Sequence, residues 1–170
     1  MLTFYHAPGS SSMAVHIALH EVGATFESRV VSFSRKEQRS PEFLAINPEG
    51  KVPVLVIEGR VLTEVAGILY YLARRFPAAS LWPNCDPEAA ARVISWMSFI
   101  ASTLHPARRL GLDHARTVYQ LADERLGSRR WAVDSYSVAD IHLFRLFCVF
   151  AAPWALMRRS FRTSVPIMTV

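Results

Sequence analysis

Asn47-Pro48-Glu49-Gly50-Lys51-Val52-Pro53-Val54-Leu55-Val56-Ile57 is the stretch on which the fold turns. Val52–Ile57 is apolar and β-branched, a strand, yet it carries a proline near its start, where a ladder donor is lost. The preceding Asn47-Pro48-x-Gly50 reads as a loop that delivers one fixed backbone geometry to that strand. A cis Val52–Pro53 bond would account for the placement, although only about 5–6% of X–Pro bonds are cis. Downstream, Glu58-Gly59 is a hairpin turn and Arg60-Val61-Leu62 the returning strand. Thr63 then caps a helix running through Ala66, Ile68, Leu69, Tyr71 and Leu72. Upstream, Leu2–Tyr5 is a strand broken by Pro8-Gly9-Ser10-Ser11-Ser12, and a helix follows to Gly23. Phe26–Phe33 is a further strand, and Ser40 with Pro41 opens a short helix as N-cap and first residue. The order is βαβαββα, which requires a sheet with both parallel and antiparallel neighbours.

The rest of the chain reads differently. Residues 78–87 form a Pro-rich polar linker. Beyond it lie helical stretches at Glu88–Leu104, Leu112–Leu126 and Val138–Phe150, with no strand signal, while the structure of 151–170 is left open. The fold class is therefore α/β plus all-α, with an α/β domain over 1–77 and a helical bundle domain over 88–170. Ser137-Val138-Ala139-Asp140 is a variant of the capping box, a structural feature.

The 170 residues are 51% hydrophobic and 19% charged, enough for a real core, and global disorder is excluded. Two cysteines, Cys85 and Cys148, leave no disulfide scaffold and no CxxC motif, and a reducing cytoplasm is the expected compartment. No signal peptide is apparent, and the apolar run Leu146–Met157 is too short to span a membrane, so it reads as core or a dimer face. Net charge is +5, but the arginines are scattered as pairs such as Arg74-Arg75 and Arg108-Arg109. They read as solvated helix faces, and no nucleic-acid partner is expected. His6 and His16 read as structural, His16 without a partner at ligand spacing, and no metal is expected.

Four pieces in this order resemble the cytosolic glutathione transferases: Phe4–Ser12, Asn47–Leu55, Leu62–Leu72 and Trp131–Asp140. The bacterial beta-like branch fits best, through the Pro-Gly turn before the first helix and a histidine in the first long helix of the second half. The resemblance implies a thioredoxin-like first domain, glutathione as co-substrate, a small hydrophobic electrophile, and a homodimer. It puts the antiparallel backbone contact to glutathione on Val52, before Pro53. The γ-glutamyl end falls at Glu64 and Val65, where a helix N-terminus favours a carboxylate. The glycyl carboxylate falls to Arg35 or Lys36. Bacterial members commonly carry a cysteine where Ser11 stands, so the resemblance assigns the thiol contact to Ser11, with Ser10, Ser12 and Tyr5 as rivals. Ser11 cannot form a mixed disulfide, which argues against thiol transfer or reductive dehalogenation. A helix-capping role is open to the same serines. His105 matches the branch's active-site histidine, and a helix-end structural role is open to it as well.

The chain departs from the family in two places. Many members have Glu-Ser where this chain has Glu64-Val65. The missing hydroxyl removes a hydrogen bond to a carboxylate, worth roughly 1.5–3 kcal/mol. The segment from His105 to Ser137 is also short. The leading expectation is a transferase that activates bound glutathione for conjugation. The alternatives are a degenerate binding or scaffold protein, and a glutathione-dependent isomerase of an unsaturated diacid using arginines such as Arg108 and Arg109.

Overall fold

Alternation along β1 (Leu2–His6) sends successive side chains to opposite faces. Phe4 and His6 meet His16 of α1 (Ser12–Glu21) on one face, while Tyr5 meets Phe43 of α2 (Pro41–Ile46) on the other. The computed structural model describes residues 1–83 and 86–150. The chain divides into two compact units, the first of residues 1–82 and the second from residue 83 onward.

In the first unit, β2 (Phe26–Val30), β1, β3 (Val54–Ile57) and β4 (Arg60–Thr63) lie side by side in that order. β1 runs parallel to β2 and antiparallel to β3, and β4 is antiparallel to β3. This is the mixed sheet expected from the βαβαββα order. α1 packs with α3 (Val65–Arg75), and Phe4, Val15, Leu19, Ile68, Leu69 and Leu72 are completely buried. A second cluster, of Ala7, Val31, Phe43, Val52 and Val54, is joined by Tyr5 and Ile46. Each fully buried Leu or Ile contributes roughly 1.5–3 kcal/mol of transfer free energy.

Local signals behave unevenly. Ser40 caps α2 as expected, its Oγ accepting the Phe43 N–H at 3.2 Å with Pro41 in the first turn. β2 and β3 are shorter than the apolar runs suggest, while β1 and β4 each extend one residue further, to His6 and Thr63. β2 ends at Val30, after which the Val31 N–H donates to the His6 carbonyl at 2.7 Å and the chain turns. β3 starts at Val54, after a cis Val52–Pro53 bond, because Pro53 has no N–H for the ladder. Thr63 does not cap α3. It ends β4, and Glu64 occupies the cap position without a capping side-chain bond.

The second unit opens with α4 (Pro87–Phe99), whose Asp86 accepts from the Glu88 and Ala89 N–H groups at 2.9 and 3.2 Å. The helix runs on as a π segment over Ile100–Leu104, an irregularity that the periodic pattern does not reveal. A short turn at Ala107–Leu110 leads through Gly111 to α5 (Leu112–Leu126), and α6 spans Val138–Phe150. Ser137 and Asp140 form the expected cap: one Asp140 oxygen accepts from the Ser137 N–H and hydroxyl at 2.9 and 3.0 Å. The other Asp140 oxygen accepts the Ala132 N–H at 2.7 Å, which ties the incoming loop to the helix start. The question of residues 151–170 lies outside the described residues, as does most of the Leu146–Met157 run.

Candidate active site

Three serines at the β1–α1 turn divide the work. Ser12 is 1% exposed, and its Oγ accepts the Ala7 N–H at 3.2 Å. Ser10 Oγ lies 2.8 Å from the Ala7 carbonyl and 2.6 Å from Ser12 Oγ, and it accepts the Ser12 N–H at 3.2 Å. Ser10 and Ser12 are thus spent on closing the turn. The capping expected of these serines comes from Ser10, whereas Ser11 sits at the N-cap position without a capping bond. Ser11 is half-buried and instead reaches across the fold, its Oγ donating to the Val52 carbonyl at 3.4 Å. That contact is long and weak for a hydroxyl. It leaves Ser11 the serine of the three directed at the Val52–Pro53 loop.

Tyr5 packs against the cluster that includes Ala7 and Val52. Its ring packs edge-on to Phe43 at 5.9 Å in the cluster on the α2 side, with the Arg29 guanidinium 6.0 Å from its centroid.

The loop before Pro53 has a device that sequence reading passed over. Asn47 is 4% exposed; its Nδ2 donates to the Lys51 carbonyl at 2.8 Å and its Oδ1 accepts the Glu49 N–H at 3.2 Å. One amide side chain therefore fixes both arms of the turn that aims Val52. Gly50 is equally constrained. At φ +63° a Cβ there would lie 2.7 Å from the Gln38 carbonyl oxygen and 2.9 Å from Arg39 Nη1. The sequence signal for both was the Asn-Pro-x-Gly spacing.

Glu64 takes φ 65° and ψ 128°, a conformation that costs a non-glycine residue of order 1–3 kcal/mol. Nothing in the sequence marks it, since glutamate has no left-handed bias. The conformation breaks the chain between β4 and α3, so that Val65, 8% exposed, opens the helix with its backbone N–H at the positive end of the dipole. Arg35 and Lys36 stand on the exposed 32–40 turn. Arg35 pairs with Glu37 at 2.7 Å, and Glu37 also accepts the Ser32 N–H at 2.6 Å, which pins the turn. Lys36 adopts φ 57° at the start of the Glu37–Arg39 single-turn helix.

His105, in the second unit, ends the π segment, with its N–H donating to the Ile100 carbonyl at 2.8 Å. Burial holds its imidazole below the ordinary histidine range, and the charges of Arg145 and Arg109 act in the same sense. Both effects favour its neutral form. The view that His16 lacks a partner at ligand spacing is corrected: His20 stands one helical turn further on, with ring centroids 5.0 Å apart. Among the described residues no group of three or more His, Cys, Asp or Glu side chains is placed to hold a metal. No described helix is long and apolar enough to cross a membrane.

The first unit thus offers the Val52 backbone before the strand, a helix N-terminus at Val65 beside an acid at Glu64, and a hydroxyl at Ser11. Those groups suit an extended peptide that carries a carboxylate beside an ammonium and a thiol. The family model of the glutathione S-transferase N-terminal domain matches residues 1–74. A glutathione S-transferase of Xanthomonas campestris, GST-4.5, is 31% identical over 164 residues, covering 84% of this chain and 79% of that protein. A Sulfitobacter glutathione transferase homologue solved with bound glutathione superposes with TM-score 0.75 at 35% identity, over 86% of this chain and 80% of its own. The beta class enzyme of Sphingomonas chungbukensis gives TM-score 0.76 at 32% identity, over 86% and 81% of the two chains.

Proposed function

The chain belongs to the glutathione S-transferase family, and on that premise we propose that it binds glutathione on its first unit and activates the thiol at Ser11. The observation that carries this reading is the division of labour at the β1–α1 turn. Ser10 and Ser12 close the turn, while Ser11 points at the Val52 carbonyl, where the cysteinyl backbone of an extended tripeptide would pair. In this reading the Val52 edge takes that backbone and the α3 N-terminus takes the γ-glutamyl carboxylate. Glu64 takes the ammonium, and Arg35 or Lys36 the glycyl carboxylate.

The chemistry follows from the donors. A hydroxyl hydrogen bond and the positive end of α1 both favour a thiolate over a thiol, and such surroundings lower a thiol pKa from about 8.5 toward 7. The thiol proton leaves to solvent. The sulfur lone pair then forms a carbon–sulfur bond to an electrophilic carbon, and the leaving group departs with the bonding pair. No covalent bond to the enzyme forms. Pro53 presents Val52, and His105 is a candidate contact on resemblance alone. We further infer a homodimer in the cytoplasm, a small hydrophobic electrophile as second substrate, and domains of 1–77 and 88–170 joined by a linker.

Titration of the full chain with glutathione by calorimetry tests the reading. A dissociation constant in the micromolar to low millimolar range, weakened at least tenfold by Glu64→Ala, is the expected result. Loss of conjugation to a panel of aryl halides and epoxides in Ser11→Ala, with glutathione affinity retained, would assign Ser11 to the chemistry. Absence of heat up to several millimolar glutathione would overturn the proposal and leave a degenerate binding protein. Retained binding without turnover of any electrophile would point the same way for catalysis alone.

A further inference from the structure

Three of the chain's six histidines are stacked in one place, on the opposite side of β1 from Tyr5. His6 at the end of β1 lies 4.9 Å, centroid to centroid, from His16 of α1, and His16 lies 5.0 Å from His20. Aromatic rings close both ends. Phe4 stacks on His6 at 5.1 Å and 8°, and Phe26 of β2 stands edge-on to His16 and His20 at 5.8 and 5.5 Å. His6 is 9% exposed and its Nε2 is bonded to Ser28 Oγ at 2.8 Å. The row occupies the seam between β1 and α1.

That seam carries the serine turn. The chain leaves β1 at His6, makes the Ala7–Ser12 turn, and reaches His16 one helical turn later. Ring contact between His6 and His16 thus holds together the two ends of the segment bearing Ser10, Ser11 and Ser12. Neutral imidazoles tolerate this packing. Two adjacent imidazolium ions about 5 Å apart repel each other, strongly where solvent is partly excluded.

We propose that this three-imidazole stack makes glutathione binding acid-sensitive: protonation of the row forces His6 from His16 and opens the β1–α1 turn that presents Ser11. The inference rests on the glutathione reading of that turn for its functional half, and on the ring geometry alone for its structural half.

The elements around the row carry charges of both signs. On α1 the other ionisable side chain is Glu21. On β2, Glu27 and Arg29 pair with each other at 2.8 Å, and Glu27 also accepts from Thr3 at 3.3 Å. α3, packed on α1, carries Arg74 and Arg75 in its last turn. Burial holds His6 below the ordinary histidine value; it does the same to His16, to which the charges of His6 and His20 add. A base whose folded-state pKa is depressed binds protons more tightly when unfolded. Stability is therefore full above about pH 6.5 and is lost as pH falls through and below that value.

The test uses the full chain and S-methylglutathione, whose missing thiol removes the ligand's own titration near neutrality. Urea midpoints and calorimetric dissociation constants are measured from pH 7.5 to 5.0 for wild type, His16→Phe and His20→Gln. His20→Gln is at an exposed position and serves if His16→Phe fails to fold. We expect wild-type affinity to fall by roughly tenfold over this range, one linked proton allowing at most about tenfold per pH unit. Both variants should flatten that slope and the matching fall in urea midpoint. Variants that lose affinity and midpoint as steeply as wild type would overturn the proposal. No binding at any pH, with a histidine-dependent midpoint slope, would overturn the glutathione reading while keeping the acid-labile seam. A wild-type affinity flat with pH would remove the link between the two.

Discussion

The two units bury polar side chains in different ways. In the first, Thr3, His6, Ser12 and Asn47 are buried and each has a hydrogen-bond partner among the described residues, although the Gln38 Oε1 atom is buried and met by none of them. In the second, Ser137 is bonded to Asp140, but His142 is 4% exposed with a buried Nδ1 that no described residue meets. A buried polar group that is satisfied fixes one geometry, and one left unsatisfied costs its desolvation. The difference teaches where the fold invests its precision. The polar burial of the first unit holds two turns, Ala7–Ser12 and Asn47–Pro53, that converge on Ser11 and Val52. In the second unit the cap at Ser137–Asp140 fixes a helix start, and His142 lies beyond it.

The largest expected effect strikes the second unit where it is satisfied. Asp140→Ala removes the acceptor of three hydrogen bonds and leaves the Ala132 and Ser137 N–H groups without it. It should cost about 3 kcal/mol in urea denaturation followed by the helical signal. An effect under about 0.5 kcal/mol would mean that water replaces the carboxylate freely.

Asn47→Ala should come next, at about 2 kcal/mol, for two lost bonds in a buried turn. Because the loss falls on the loop that aims Val52, glutathione affinity should fall with it. A stability loss with unchanged affinity would separate the loop from the site. Ser12→Ala and Ser11→Ala form the finer pair. The buried Ser12 should cost about 1–2 kcal/mol, whereas Ser11, with one 3.4 Å contact, should cost no more than about 0.5 kcal/mol. Equal costs would erase the division of labour on which the proposed function stands.

His142 gives an effect in the opposite direction. His142→Leu removes a buried ring nitrogen that no described residue meets and should raise stability by about 1 kcal/mol at pH 7. Burial, with His105 and Arg145 nearby, pushes His142 down to about 3. Its neutral form is the folded form, so its penalty begins as pH falls below about 6.5 and grows until pH 3. The substitution should therefore gain more at pH 5 than at pH 7. A gain that shrinks on acidification would show that His142 has a partner it prefers when charged.

The topology of the first unit was legible because its signals are local. Val54–Ile57 and Arg60–Thr63 form a hairpin around Glu58-Gly59, and a proline at the strand start marks an interrupted ladder. Ser40-Pro41 and Ser137/Asp140 are caps whose donor and acceptor lie within three residues. The helix boundaries of α5 and α6 follow from Gly111 and Ser137 in the same way. The site residues were legible as a set through resemblance, but the sequence left open which serine faces outward.

What the sequence determined by itself was the order of elements, the caps at Ser40 and Ser137, and the loop at Asn47–Pro53, because periodicity, φ restriction and short-range hydrogen bonding act between near neighbours. Only the tertiary structure decided that Ser10 and Ser12 bond inward while Ser11 turns to Val52, 41 residues away. It alone put Glu64 at φ 65°, packed Tyr5 against Phe43, and lined up His6, His16 and His20. The reason is that each of those outcomes is set by which strand, helix or turn packs alongside. Such contacts depend on the sheet register and the closing of the core, and residues read one neighbourhood at a time do not carry them.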